Sequence, residues 1–271
     1  MEWLAALVVG LVQGLLEWLP VSSEGAVALA LTALDAAPGA ATRLALFLHA
    51  GTAVAAAVYY RGVLAEFAGL VRSWRPGSAF AGETADLSFF LLATLVSGLT
   101  GVAGFAVLEE VTTAVTGGAF VALVGALLVG TGLFMYAARS RAREFRESPG
   151  AVDAVLVGAL QGLAVLPGVS RSGTTVSALL LRGHDGPAAL ELSFVLSIPA
   201  AMGAGGIALV ESGGSLEVIA PDEAVLALVA SAVVGYLTVD ALTRVVERIA
   251  FWRVCVGFGT VAVAGGGLLV L

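Results

Sequence analysis

The chain has 271 residues, 59% of them hydrophobic and only 12% charged, with a mean hydropathy of +1.01. A soluble domain carries roughly 25% charged residues, so this composition excludes one and points to a membrane protein. The formal net charge is −7, all 13 basic residues are arginine, and no basic patch is interleaved with aromatics, which argues against nucleic acid as a partner.

In chain order, the first segment, residues 1–34, is apolar but interrupted at Pro20-Val21-Ser22-Ser23. It has no Lys or Arg ahead of its apolar run and carries Glu2, so it reads as part of the mature fold rather than as a signal peptide. Spanning helices need about 20 apolar residues, and candidates follow at 43–60, 87–108, 117–138, 189–210, 223–242 and 250–271. Between the third and fourth candidates, residues 151–181 are interrupted at Pro167-Gly168-Val169-Ser170. Both interrupted segments read as helix–break–helix hairpins that enter the membrane and return to their own side. The predicted fold is therefore all-α: six transmembrane helices plus two re-entrant hairpins. No linker or long polar tract divides the chain, so 1–271 reads as one polytopic domain. Cys255 stands alone and reads as a buried, inert thiol, which leaves no internal disulfide and no cysteine metal cage.

Arginine placement supports this topology. Six crossings put Arg61, Arg72, Arg75, Arg139, Arg141, Arg143, Arg146, Arg244, Arg248 and Arg253 on one face, which the positive-inside rule makes cytoplasmic. Glu109-Glu110 and the stretch from Glu211 to Glu223 fall on the other face. Were the second hairpin a full crossing, the arginine clusters would be split. The interrupted segments also match each other. At an offset of 148 residues, Gly10, Gln13, Gly14, Leu15, Val21, Ser22, Gly25, Ala30 and Leu31 meet identical residues from Gly158 to Leu179, nine identities in 22 positions. Three crossings separate the copies, so the reading is an inverted-topology repeat, one copy over about 1–138 and the other over about 151–271. Such repeats place their ligand site near the midplane, where the discontinuous helices meet.

An ionisable group in a membrane segment is a functional candidate by default. Glu17 lies in the stretch QGLLEWLPVSSEG, four residues after Gln13, so the two share a helix face. Each break is followed by a helix whose N-terminal amides and dipole favour an anion. The second adds Ser170, Arg171, Ser172, Gly173, Thr174 and Thr175, a forked donor among hydroxyls suited to phosphate oxygens. Ser22, Ser23, Ser170 and Ser172 have helix capping as their plain alternative role, and Glu17–Arg171 has that of a packing ion pair. Glu24 reads equally as a helix-start acid. Gly10/Gly14 and Gly158/Gly162 read as packing faces. His49 is a packing residue that could reach the cavity, His184 reads as solvated, and Glu109-Glu110 as a surface turn.

At these residues the chain resembles the undecaprenyl-diphosphate phosphatase family, the bacitracin-resistance type. QGLLEWLPVSSEG is similar to its first motif and LPGVSRSGTT to its second, Pro-Gly-x-Ser-Arg-Ser-Gly, while FLHAGTAVA and ELSFVLSIPAAMGA extend the resemblance over nearly the whole chain. The resemblance implies hydrolysis of a polyprenyl diphosphate to the monophosphate and phosphate, recycling a lipid glycan carrier from an active site open to the outer face. It implies Ser23 as nucleophile with Ser22 of the substrate-binding set beside it, Glu17 in the acidic motif with Gln13, and Arg171 on the diphosphate with Ser170 and Ser172. It also implies Mg²⁺ or Ca²⁺ as cofactor, with Glu17 the candidate metal ligand. Gln161, Gly173, Thr174, Thr175, Glu24 and His49 complete the candidate substrate-binding set, and a homodimer is a possible assembly. The first motif of the family ends Ser-Ser-x-Gly-His; here Glu24 fills the variable position and Ala26 replaces the histidine. Because Ala26 cannot move protons, a carboxylate is expected to do so, Glu17 ahead of Glu24. An acidic, lysine-free chain is also suited to an archaeal-type host and a dolichyl-like carrier. The rival reading is a transporter or flippase of a polyprenyl phosphate lipid, since broken helices in inverted repeats are transporter architecture.

Overall fold

The computed structural model describes residues 3–115, 117–139, 146–214 and 216–270. Among them are eleven α-helices and no strand. They are α1 (Trp3–Leu16), α2 (Ser23–Ala33), α3 (Pro38–Tyr59), α4 (Arg61–Leu70), α5 (Ala85–Ala114), α6 (Gly117–Ala138), α7 (Ala151–Leu163), α8 (Arg171–Leu181), α9 (Gly186–Glu211), α10 (Pro221–Arg248) and α11 (Phe251–Val270). Six of these (α3, α5, α6, α9, α10 and α11) are long and apolar enough to cross a membrane. Leu99, Val210, Leu237 and Phe258 on these helices are exposed, which suits a surface solvated by acyl chains. This is a multi-pass membrane protein.

Several helix ends follow from local chemistry. Pro38 and Pro221 open α3 and α10 in the first turn, where a missing N–H costs nothing. Asp185 caps α9 by accepting from the Ala188 amide at 2.7 Å. The fifth helix extends past the expected span end, so Glu109 and Glu110 lie in its last turns rather than in a surface turn. Thr112 and Thr113 donate back to the Glu109 carbonyl, one helical turn earlier. The helix α4 has no counterpart in the sequence expectations. Its Val63, Leu64, Phe67 and Leu70 form one apolar stripe, with Phe67 packed against Leu87 and Val195.

The half-length helices α1 and α7 each lie along a full-length one. Gly10 and Gly14 of α1 meet the α10 backbone at Ala227 and Ser231, while Gly158 and Gly162 of α7 meet α5 at Ala93 and Gly101. Rising numbers pair with rising numbers, so both pairs are parallel. A Cβ on Gly14 would sit 2.8 Å from the Ser231 carbonyl oxygen, and one on Gly158 2.6 Å from that of Ala93. Only glycine permits these approaches, as the small-xxx-small spacing predicted. At the core, α3 packs on α9 and α10, and α6 pairs with α11 at one side.

Opposite ends of the bundle carry different charge clusters. At one, Arg43 bridges Glu109 at 3.7 Å and Glu217 at 3.2 Å, tying the start of α3 to the end of α5 and to the α9–α10 connection. At the other, the Tyr59 hydroxyl donates to Asp240, which also pairs with Arg244, and Arg139 lies over Tyr136 and Trp252. Arg141 and Arg143 lie outside the described residues.

Candidate active site

The two breaks touch. Glu17 follows α1 by one residue and extends its last turn, its amide donating to the Gln13 carbonyl at 3.1 Å. The chain then turns at Trp18, whose ring is 1% exposed and stands edge-on to Phe194, with Nε1 donating to the Gly235 carbonyl at 3.0 Å. That contact fixes the first break against α10. Ser22 has φ of +60° and caps α2 by accepting from the Gly25 amide at 3.2 Å. The same hydroxyl oxygen accepts from the Gly168 amide at 3.0 Å, joining the first break to the second. Gly168 has φ of +101°, a conformation that favours glycine. Ser170 caps α8 through the Gly173 amide at 3.2 Å.

Between the breaks, one carboxylate organises four side chains. Glu17 Oε2 accepts from Gln13 Nε2 and from Ser23 Oγ, each at 2.9 Å, and lies 3.3 Å from His49 Nε2. Glu17 Oε1 accepts from Arg171 Nη2 at 2.5 Å. Arg171 is held by a weak donation to the Ser193 carbonyl at 3.4 Å and lies 5.8 Å from the centre of the Phe194 ring. His49 Nδ1 is 2.8 Å from the Ala45 carbonyl, which can only accept, so Nδ1 carries a proton and Nε2 is the nitrogen that faces Ser23, at 3.5 Å. His49 thus belongs to the site, reached from α3.

Two cavities meet here. A polar recess of about 20 Å³ is lined by Glu17, Ser22, Ser23, Glu24, His49, Ser170, Arg171 and Ser172. It opens beside a larger, mainly apolar cavity of about 200 Å³ between α5, α7 and α9, which Glu17, Glu24, His49 and Arg171 also line. The larger cavity suits a hydrocarbon tail and the recess a charged head. As it stands the recess has room for about one water.

Some expected residues sit elsewhere. Thr174 and Thr175 do not line the recess; their hydroxyls turn back to the Ser170 and Arg171 carbonyls. Such back-bonding is the common alternative for a threonine in a helix. The Gly173 amide is consumed by its cap, and the residue faces a different cavity. Gln161 lies in the wall of the larger cavity, donating to Ser97 Oγ and the Leu196 carbonyl, both at 3.2 Å. His184, expected to be solvated, is 2% exposed and 3.5 Å from Asp153, because the α7–α8 hairpin folds its two outer ends together. The second helix after a break starts at Arg171 rather than near Gly173. Sequence reasoning missed Thr94, Ser97 and Ser197 in the cavity wall, single hydroxyls in long apolar helices with no motif to mark them.

For a cation, the recess offers the carboxylates of Glu17 and Glu24. Among the described residues, no three His, Cys, Asp or Glu side chains converge into a cage.

The family model described as Bacitracin resistance protein BacA matches residues 6–261. An undecaprenyl-diphosphatase of Haloarcula marismortui is 56% identical over 271 residues, covering 99% of this chain and 98% of the relative. Proteins of the same name from Methanothrix thermoacetophila and Methanococcoides burtonii are 38% and 35% identical, covering 97% and 95% of this chain and 97% and 96% of those relatives.

Proposed function

The chain belongs to the bacitracin resistance protein BacA family, and from that premise we propose how its site works. The protein is a membrane phosphatase that hydrolyses a polyprenyl diphosphate to the monophosphate and phosphate, recycling a lipid carrier. The observation that carries the assignment is the Ser23–Glu17–Arg171 contact, a hydroxyl, a carboxylate and a guanidinium brought together from two motifs 148 residues apart.

In the proposed mechanism the diphosphate draws Arg171 away from Glu17, which leaves the carboxylate bonded to the Ser23 hydroxyl and ready to take its proton. Ser23 Oγ attacks the terminal phosphorus, the bond to the bridging oxygen breaks, and the prenyl monophosphate leaves. Water then hydrolyses the phosphoserine, releasing phosphate and restoring Ser23. Arg171 and the first turns of α2 and α8 stabilise charge on the transferring group. Gln13 holds Glu17 in place. A divalent cation, Mg²⁺ or Ca²⁺ by family resemblance, would be held by Glu17 and would neutralise phosphate charge.

The re-entrant and inverted-repeat readings belong to the same proposal. They are supported by the bond from Arg182, after α8, to Asp153, at the start of α7, and by the matching of the α1–α10 and α7–α5 pairs. The arginine end is then cytoplasmic and the larger cavity opens outward. A dolichyl-like carrier and a homodimer remain compatible with this site.

A third cavity, about 390 Å³, lies on the arginine side of the breaks, lined by Trp18, Arg139, Ser172 and Trp252 among others. Ser172 borders both it and the recess, and this adjacency favours lipid passage as a second reading. The purified protein should release phosphate from a C15 prenyl diphosphate; no release with any divalent ion contradicts the enzyme. Scrambling of a prenyl phosphate in proteoliposomes that survives Ser23→Ala supports transport instead.

A further inference from the structure

We propose that Glu24 is the second carboxylate of a divalent-cation site, shared with Glu17 and set between the two breaks. Glu24 is 3% exposed, and its Oε1 has no hydrogen-bond partner. No basic side chain among the described residues pairs with it. A buried acid with no partner either takes up a proton or, ionised, needs a counter-charge such as a metal ion. Glu24 lines both the polar recess and the larger cavity, as Glu17 does; Arg171 beside them is engaged by Glu17, so Glu24 is the carboxyl of the pair left without a counter-charge.

A second observation points the same way. Gln161, 4% exposed, borders the larger cavity with Glu24 and leaves its amide Oε1 without a partner, while its Nε2 is doubly engaged. The unsatisfied atoms on this wall are therefore oxygens, the ligands a hard cation takes. A site with two carboxylates and no full cage leaves positions for water and phosphate oxygens, the arrangement usual for Mg²⁺ at phosphoryl groups. Glu24 occupies the variable position of the first motif, so this ligand is a property of the chain rather than of the motif. The phosphate share of the coordination rests on the phosphatase reading; the protein share does not.

The test is Mn²⁺ binding to the purified, substrate-free protein, followed by electron paramagnetic resonance, with Mg²⁺ as competitor. One Mn²⁺ per chain is expected, weakened at least about tenfold in Glu24→Gln and recovered in part by Glu24→Asp. Glu24→Gln should melt no lower than the wild type without metal, since it replaces a buried acid that has no partner with a group of the same shape, and should lose the upward melting shift that Mn²⁺ gives the wild type. Failure of the wild type to bind Mn²⁺, or equal affinity in Glu24→Gln, overturns the proposal. Phosphate release is scored separately. Binding through Glu24 without release would sink the enzyme and leave the site standing; release with Glu24-independent Mn²⁺ binding would do the reverse.

Discussion

At the residue scale, Glu17 is the hub on which the chemistry turns. Replacing it with glutamine keeps a similar shape and removes the proton acceptor for Ser23. Glu17→Gln should therefore lower turnover on the order of 10²–10⁴-fold while prenyl diphosphate still binds, because Arg171 remains. Single-turnover phosphate release and a separate binding measurement check the two halves. His49 touches the same carboxylate, but Ser23 donates to Glu17 at 2.9 Å and only approaches His49 at 3.5 Å. His49→Ala should accordingly retain activity within about tenfold, well short of the loss of a general base. A dead His49→Ala beside a working Glu17→Gln would move the base to the imidazole. Glu17, Ser23 and Arg171 were legible in sequence because a charge or clustered hydroxyls in an apolar chain need a reason. Thr174 and Thr175 lie off the recess because a helix offers a hydroxyl a carbonyl of its own, which composition does not reveal.

At the element scale, the two half-helices are held by close glycine contacts and by their ends. Gly158→Val puts new atoms against the Ala93 backbone and should destabilise the protein by about 1–3 kcal/mol, read as a lower melting temperature, with activity lost in parallel. Asp153 fastens the outer end of α7 to the residues after α8, accepting from Arg182 Nε at 2.5 Å and from the Gly150 amide at 2.7 Å. It stands outside the six spanning helices. Burial pushes its carboxyl up, but the Arg182 hydrogen bond, the Gly150 amide and the charges of Arg182 and His184 outweigh that and hold it below the usual range. A depressed carboxylate contributes stability above its unfolded value of about 3.9, lost as pH falls through the folded value. Melting temperature should thus drop in acid below about pH 4, and Asp153→Asn should remove that part of the dependence at a loss of about 1.5–3 kcal/mol near neutrality. An unchanged acid profile in Asp153→Asn would rule out this clamp. The six long helices were readable from apolar length, and their polar extensions were not: Glu109 and Glu110 end an apolar run without ending α5. The short helix α4 was missed because its ten residues fall well short of the membrane thickness, the length by which spans were sought.

At the scale of the whole molecule, two motifs far apart in the chain meet where the two helix breaks touch. Gly168 donating to Ser22, and Arg171 to Glu17, are the joints. Sequence self-similarity anticipated that the breaks belong together, whereas the cavities beside them come from helix packing that no motif encodes. The proposed orientation has an outcome of its own: a cysteine placed at Arg244, in a Cys255→Ser background, should react with an impermeant thiol reagent only from the cytoplasmic side. Labelling from outside would invert the topology. The central claim is that the Ser23–Glu17–Arg171 cluster is where the diphosphate is cleaved. Its most direct measurement is phosphate release at saturating prenyl diphosphate by a folded Ser23→Ala protein. The account predicts a loss of about 10³-fold or more with binding intact; release near the wild-type rate would contradict it.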